Sequence, residues 1–284
     1  MIKEWIDSYN PKNEEEILSA LREIMQEVAL AGLSRTDFFE KAAFYGGTAL
    51  RIFYGLDRFS EDLDFSLLKP EPEFTLQPYF SALVEEYESL GIHVTIREKV
   101  KSKETALDSA FLKAETIWQE IILEDLIKQT GVRSNRTIKI KLEVDRNPPL
   151  HFSTEEKLLV RPFSFYVKCF SQSSLFAGKM HALLYRKWKS RVKGRDWYDL
   201  EWYIKNGVAL DVQHFCQRAN ESGDWKKKTI TEEQIKVLLR AKIAEVSFDN
   251  IREDVVRFVK DERGLDIWSS TYFNDLIEKM KFEI

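Results

Sequence analysis

Residues 62–68 read Asp-Leu-Asp-Phe-Ser-Leu-Leu, in which polar and apolar side chains alternate with period two. Such a segment reads as a half-buried strand, with Leu63 and Phe65 on one face and Asp62 and Asp64 sharing the other. Residues i and i+2 of a strand lie about 7 Å apart at their Cα atoms. Two carboxylates that approach to about 5 Å at an effective dielectric near 20 repel by roughly 3 kcal/mol. A strand that had only to pack would not carry this pair, so a positive partner is expected between them.

A second strand is clearer still. In Arg136–Asp145, "RTIKIKLEVD", Ile138, Ile140, Leu142 and Val144 face one way, while Lys139, Lys141, Glu143 and Asp145 face the other. The Asn147–Pro149 stretch ends it. "IHVTIREKV", Ile92–Val100, alternates as a further strand, and residues 104–130 fit strand and helix equally. Helical spacing marks residues 14–31, with Gly32 as the expected stop, a short helix over 48–54 closed by Gly55, and residues 75–90. Beyond about residue 170 strand patterns disappear, and four segments carry helical periodicity, one opened by a Thr231/Gln234 capping box. The expectation is an α/β (α+β) chain: a mixed sheet with flanking helices over residues 1–165, then a helical domain over 166–284.

Bulk properties narrow the partners. The chain has 284 residues, enough for a substantial core, and 44% hydrophobic content with 19 phenylalanines excludes a disordered chain. No apolar run reaches the roughly 18 residues that cross a bilayer, and the first residues lack a signal-peptide core, so a cytoplasmic protein without membrane contact is expected. Cys169 and Cys216 have no metal-site spacing, which leaves them as buried or idle thiols. A net charge of −4 argues against indiscriminate nucleic-acid coating. Local runs run counter to that average: "RKWKSRVKGR" (Arg186–Arg195), "DWKKK" (Asp224–Lys228) and "KIK" (Lys139–Lys141). Most such runs are solvated faces, but a tryptophan within each of the two longer ones suits a polyanion-contacting surface.

Glu143, on the polar face of its strand, is placed to join Asp62 and Asp64 in a three-carboxylate cluster; equally, it could pair with Lys139 or Lys141. Hard oxygen donors grouped in this way suit magnesium, which takes a few carboxylates plus substrate phosphates. Two such ions activate an attacking oxygen and stabilise a leaving pyrophosphate. Gly46 and Gly47 precede a short helix, whose free N–H groups and dipole attract anions, and Thr48 adds a hydroxyl. A glycine pair, one short helix and then an acidic strand is a rarer order than any of its parts, and it points to phosphoryl or nucleotidyl transfer.

"GGTALR" followed by "RFSEDLDF" resembles the signature of the AbiEii/AbiGii-type nucleotidyltransferase toxins, a branch of the DNA polymerase β-like nucleotidyltransferase superfamily. "AGKMHALLYRKWKSRVKGRDWYDL", Ala177–Leu200, resembles that family's later motifs, a helical lysine and an "RDxYDL" box. The resemblance spans Gly46 to Leu200 and implies a minimal nucleotidyltransferase sheet with a helical carboxy-terminal domain. It also implies magnesium and a nucleoside triphosphate. Gly46, Gly47 and Thr48 would hold the triphosphate, Asp62 and Asp64 the metals, and Glu143 would be the second-motif acid, with Asp145 as fallback. Lys179 would touch triphosphate oxygens, although a snorkelling helix lysine is the plainer reading. Asp196, rather than Asp199, would be the functional acid of the last motif, with Arg195 an alternative structural partner for it. Arg51 and Arg58 stay open between phosphate contacts and structural partners.

The family further implies a toxin acting with a cognate antitoxin, some members modifying the 3′ end of tRNA. Two other classes remain in view: a nucleotide-binding module without transfer activity that works through a protein partner, and a different Asp-x-Asp enzyme such as a phosphatase. Against the latter, Phe65-Ser66 follows the motif and a glycine pair precedes it.

Overall fold

A computed structural model describes residues 1–98, 116–123, 138–186, 193–259 and 261–284. Two compact units emerge: Met1–Ala49, Ser60–Pro148 and Glu155–Cys169 form the first, and Leu50–Phe59, Pro149–Thr154 and Phe170–Ile284 the second.

The first unit is built on a seven-stranded mixed sheet. Its strands are β1 (Ala42–Tyr45), β2 (Asp62–Leu67), β3 (Val94–Glu98), β4 (Thr116–Leu123), β5 (Ile138–Asp145), β6 (Thr154–Leu159) and β7 (Phe165–Phe170), in the order β3-β4-β5-β2-β1-β7-β6. β2 runs parallel to β5 and antiparallel to β1. The alternation read in the sequence is the observed pleat: Leu63, Phe65, Ile140, Leu142 and Val144 are buried, while Asp62, Asp64 and Glu143 are only half-buried. β4 falls in the stretch that fitted strand and helix equally; the rest of residues 104–130 lies outside the described residues, as do Lys99 and Val100 at the end of the expected 92–100 strand.

Helices α1 (Ile2–Asp7), α2 (Glu14–Ser34), α3 (Phe38–Lys41), α4 (Gly46–Tyr54) and α5 (Phe80–Ser89) belong to the amino-terminal part of the chain. Asn13 caps α2 by accepting from the Glu16 N–H, and three glutamates in the first turn complement the helix dipole. Gly32 does not stop α2, which runs on to Ser34. A Cβ there would lie 3.0 Å from the Ala82 carbonyl of α5, so the glycine serves helix–helix approach rather than termination.

The second unit holds α6 (Gln172–Tyr185), α7 (Gly194–Lys205), α8 (Val212–Glu221), α9 (Glu232–Glu245), α10 (Phe248–Val255) and α11 (Ser270–Ile277). Thr231 and Gln234 form the expected capping box on α9. Strand structure does not vanish beyond residue 170: β8 (Ala209–Asp211) and β9 (Lys281–Glu283) pair in parallel, too short to leave a period-two signal. Trp197, Phe248, Trp268 and Phe273 pack edge-to-face and stacked in this unit's core. Both thiols are free and buried. Among the described residues no helix is long and apolar enough to cross a membrane.

One buried acid in α2 makes the first unit pH-sensitive. Glu27 is 4% exposed and accepts from Arg161 at 2.9 Å. Burial pushes its carboxyl up to about 7, the Arg161 guanidinium offsetting only part of that. A carboxyl raised above its ordinary 4.5 contributes stability below that value and loses it as pH rises through about 7. Wild type should therefore lose on the order of 2 kcal/mol more than Glu27→Gln between pH 4.5 and 8. Parallel denaturant titrations of the two proteins across that range check the difference.

Candidate active site

The sheet brings two distant acidic segments into register. Asp64 sits opposite Glu143 across the parallel β2–β5 ladder, with Asp62 opposite Lys141 and Ser66 opposite Asp145. In-register residues of adjacent strands share a face, so Asp62, Asp64, Glu143 and Asp145 all project from the more accessible side. Glu143 lies beside Asp64 at the inter-strand spacing of about 4.8 Å. The Lys141 ammonium binds the Glu143 carboxylate, which is one of the two pairings the sequence left open. Among the described residues no three His, Cys, Asp or Glu side chains are gathered tightly enough to hold a metal ion.

The glycine turn meets the same strand. Gly46 has φ +84°, the left-handed region that an L side chain rarely adopts, and a Cβ built on it would lie 2.3 Å from Asp64 Oδ2. The missing side chain is what lets the Asp64 carboxylate reach the start of α4. Thr48 is fully buried, and its hydroxyl donates to the Asp62 main-chain carbonyl. It ties the turn to the strand that carries the aspartates. Gly47 follows in the first turn of α4, where free N–H groups face outward along the helix dipole. Asp62 and Asp64 are hard anionic oxygen donors of the kind magnesium takes one or two of, its other positions going to substrate phosphates and water.

Lys179, Asp196, Asp199 and Arg58 lie in the second unit. Arg58 is 1% exposed and grips Asp199 with a two-pronged fork, Nε to Oδ1 and Nη2 to Oδ2, both at 2.6 Å. Its Nη1 donates to the Phe59 carbonyl at 3.1 Å. Lys179 Nζ, on α6, reaches Asp199 Oδ2 at 2.8 Å. Burial alone would raise the Asp199 carboxyl, but the Arg58 and Lys179 charges hold it well below the usual aspartate range. Of the two readings open for Arg58, the structural partner is the one observed. Arg51 is likewise engaged locally, donating to the Leu56 carbonyl at 3.0 Å and lying over the Phe59 ring.

Asp196 is 4% exposed, and its Oδ1 has no hydrogen-bond partner among the described residues. Arg195 lies over the Phe258 ring at 4.2 Å. Burial and the Arg186, Lys179 and Arg195 charges bring the Lys193 ammonium down to about 8, Asp196 opposing them. Of the basic runs, Lys187–Val192 lies outside the described residues. In "DWKKK" the Trp225 indole donates to the Thr229 carbonyl at 3.0 Å, which gives that ring a structural task.

With this geometry in hand, the sequence matches over residues 28–278 the model of the family described as nucleotidyl transferase AbiEii toxin, type IV TA system. The chain belongs to the AbiEii nucleotidyltransferase toxin family. Its members are nucleotidyltransferase toxins of type IV toxin–antitoxin systems. The match extends past Gly46–Leu200 on both sides and takes in the end of α2 and the carboxy-terminal helices, whereas α1 and most of α2 precede it. Comparison with curated proteins finds no relative. Among solved structures, a candidate nucleotidyltransferase from H. pylori matches at 17% identity with a TM-score of 0.50, covering 94% of each chain. MenT4, a nucleotidyltransferase toxin from Mycobacterium tuberculosis, matches at 18% identity with a TM-score of 0.50, covering 91% of this chain and 74% of its own. At such identities the likeness is one of fold, and it agrees with the mixed sheet and helical region of this AbiEii family member.

One partner was offered by the sequence without being singled out, and one was missed. Lys141 was visible only as one of two lysines beside Glu143, and nothing in the sequence linked Arg58 to Asp199. The Gly46 contact yields a direct check. Gly46→Ala forces either the Asp64 carboxylate or the turn to move, and should abolish detectable nucleotide transfer while far-ultraviolet circular dichroism stays that of wild type.

Proposed function

We propose that this toxin transfers a nucleoside monophosphate from a nucleoside triphosphate to an RNA acceptor, the 3′ end of tRNA, with magnesium at Asp62 and Asp64. The observation that carries the reading is the Asp64–Glu143 register beside the Gly46 turn, which joins an acidic face to an anion-receptive helix start. Gly46 and Gly47 receive the triphosphate through main-chain N–H groups, and Thr48 fixes the turn against the Asp62 carbonyl. Asp62 and Asp64 hold the cations, and Glu143 joins them by exchanging Lys141 for the incoming charge. Bound there, magnesium supplies neutralisation of the phosphate charge and activation of the attacking hydroxyl. Lys179 contacts triphosphate oxygens as a point charge, and Asp196 is the functional acid of the "RDWYDL" box. The cognate antitoxin completes the system.

Each labelled nucleoside triphosphate is incubated with magnesium and either total RNA or purified tRNA. Wild type should label tRNA, and Asp62→Ala/Asp64→Ala should lower that by at least a hundredfold. Label that appears on no RNA, with nucleotide binding intact in wild type, would replace transfer by the binding-module reading.

A further inference from the structure

The loop between α8 and α9 carries three consecutive lysines, Lys226, Lys227 and Lys228, and all three are exposed. Among the described residues none of them forms an ion pair. Other surface cations of the second unit have found acids: Lys242 pairs with Glu245 at 3.6 Å, Arg257 with Asp254 at 3.4 Å and Arg263 with Asp261 at 2.6 Å. Acids also lie close to the lysines in sequence, yet they are held elsewhere. Gln217 donates to Glu221 at 2.5 Å, and the Ser222 hydroxyl donates to Asp224 at 2.5 Å.

The loop backbone is tied down while its charges are left free. Asn220 Nδ2 donates to the Trp225 carbonyl at 2.8 Å and to the Lys227 carbonyl at 3.0 Å. The Cys216 thiol reaches the Lys228 carbonyl at 3.5 Å, and the Trp225 indole takes that of Thr229. The Trp225 N–H donates to the Ala219 carbonyl at 2.9 Å, and Ile230 is buried at the far end. Four carbonyls between Trp225 and Thr229 are thus engaged within the unit, and the lysine side chains go to solvent. A surface ordered in advance spends less on binding. The Lys227 ammonium lies over the Trp225 ring at 5.8 Å, so that ring serves the loop rather than a base.

We propose that Lys226, Lys227 and Lys228 form a contact surface for the phosphate backbone of the acceptor RNA, one that reads charge and not base. The proposal rests on the reading of RNA as the acceptor. Like charges held side by side repel, and a polyanion turns that repulsion into attraction. A chain of net charge −4 needs such a local surface to meet one. An anionic membrane fits less well, because none of the large apolar side chains of residues 222–231 is exposed to enter it.

Binding of tRNA to the full chain is read by fluorescence anisotropy across a salt series, without triphosphate or magnesium. Each ammonium on a phosphate contributes about 0.7 to 0.9 to the slope of log affinity against log salt. Lys226→Gln/Lys227→Gln/Lys228→Gln should therefore flatten the slope by about 2 to 3 and weaken binding roughly tenfold or more near physiological salt. The three single variants, each flattening it by about 0.7 to 0.9, decide the matter should the triple variant not fold. Lys242→Gln/Arg257→Gln/Arg263→Gln lowers the net charge equally at paired cations and should leave the slope near that of wild type. An unchanged slope in the loop variants, or an equal loss in that control, overturns the surface and leaves nucleotide transfer to RNA standing. Polyglutamate bound by wild type as tightly as tRNA, at equal charge concentration, assigns the loop to an acidic protein and overturns the RNA partner. Wild type that binds no tRNA even at low salt overturns the RNA acceptor and the inference with it.

Discussion

Two strands far apart in the chain, β2 and β5, lie side by side in parallel, and the register of that ladder sets everything on the acidic face. Parallel pairing cannot be imposed by a short turn; it is fixed by burial on the opposite face. Leu63 and Phe65 from one strand and Leu142 and Val144 from the other are buried. A slip of one residue would drive Asp62, Asp64 and Glu143 into that core and expose the apolar set, so the hydrophobic face determines which carboxylates meet. The repulsion that results is partly met in the structure by Lys141, which lies opposite Asp62 and binds Glu143. An acidic face that carries its own lysine is held together by the protein's own charges.

What was legible in the sequence follows from the same physics. β2 and β5 are half-buried, so their side chains alternate and the period shows. β1, Ala42–Tyr45, has three fully buried residues in succession and no alternation, the mark of an interior strand. β6 fails for the opposite reason: an edge strand with exposed charges in "TEEKLL" presents too little apolar pattern. The glycine turn and the aspartates were readable because they adjoin each other in sequence. Their coupling was not, because the Gly46–Asp64 approach is a matter of one missing Cβ in space. Likewise Gly32 looked like a helix end, since a sequence does not say whether a glycine serves the backbone or a neighbour.

The Arg58–Asp199 pair has a different logic from the rest of the core. Extracting two charges from water is expensive, and well-packed apolar residues could often serve as well for stability. Specificity is the better explanation here, and the geometry supports it. Arg58 uses all three guanidinium nitrogens on defined acceptors, while Tyr198 and Asp199 engage two consecutive loop residues. An apolar plug could fill the volume but could not fix the rotation and register of residues 57–59.

The contrast between the two aspartates of "RDWYDL" carries this further. Asp199 has every oxygen engaged by a cation, as a structural carboxylate should. Asp196 is nearly as buried, yet its Oδ1 lacks a hydrogen-bond partner among the described residues. A buried acceptor left unsatisfied costs about 1–3 kcal/mol. One box therefore holds two carboxylates in different conditions, Asp199 with both oxygens bonded and Asp196 with one oxygen that has no hydrogen-bond partner among the described residues.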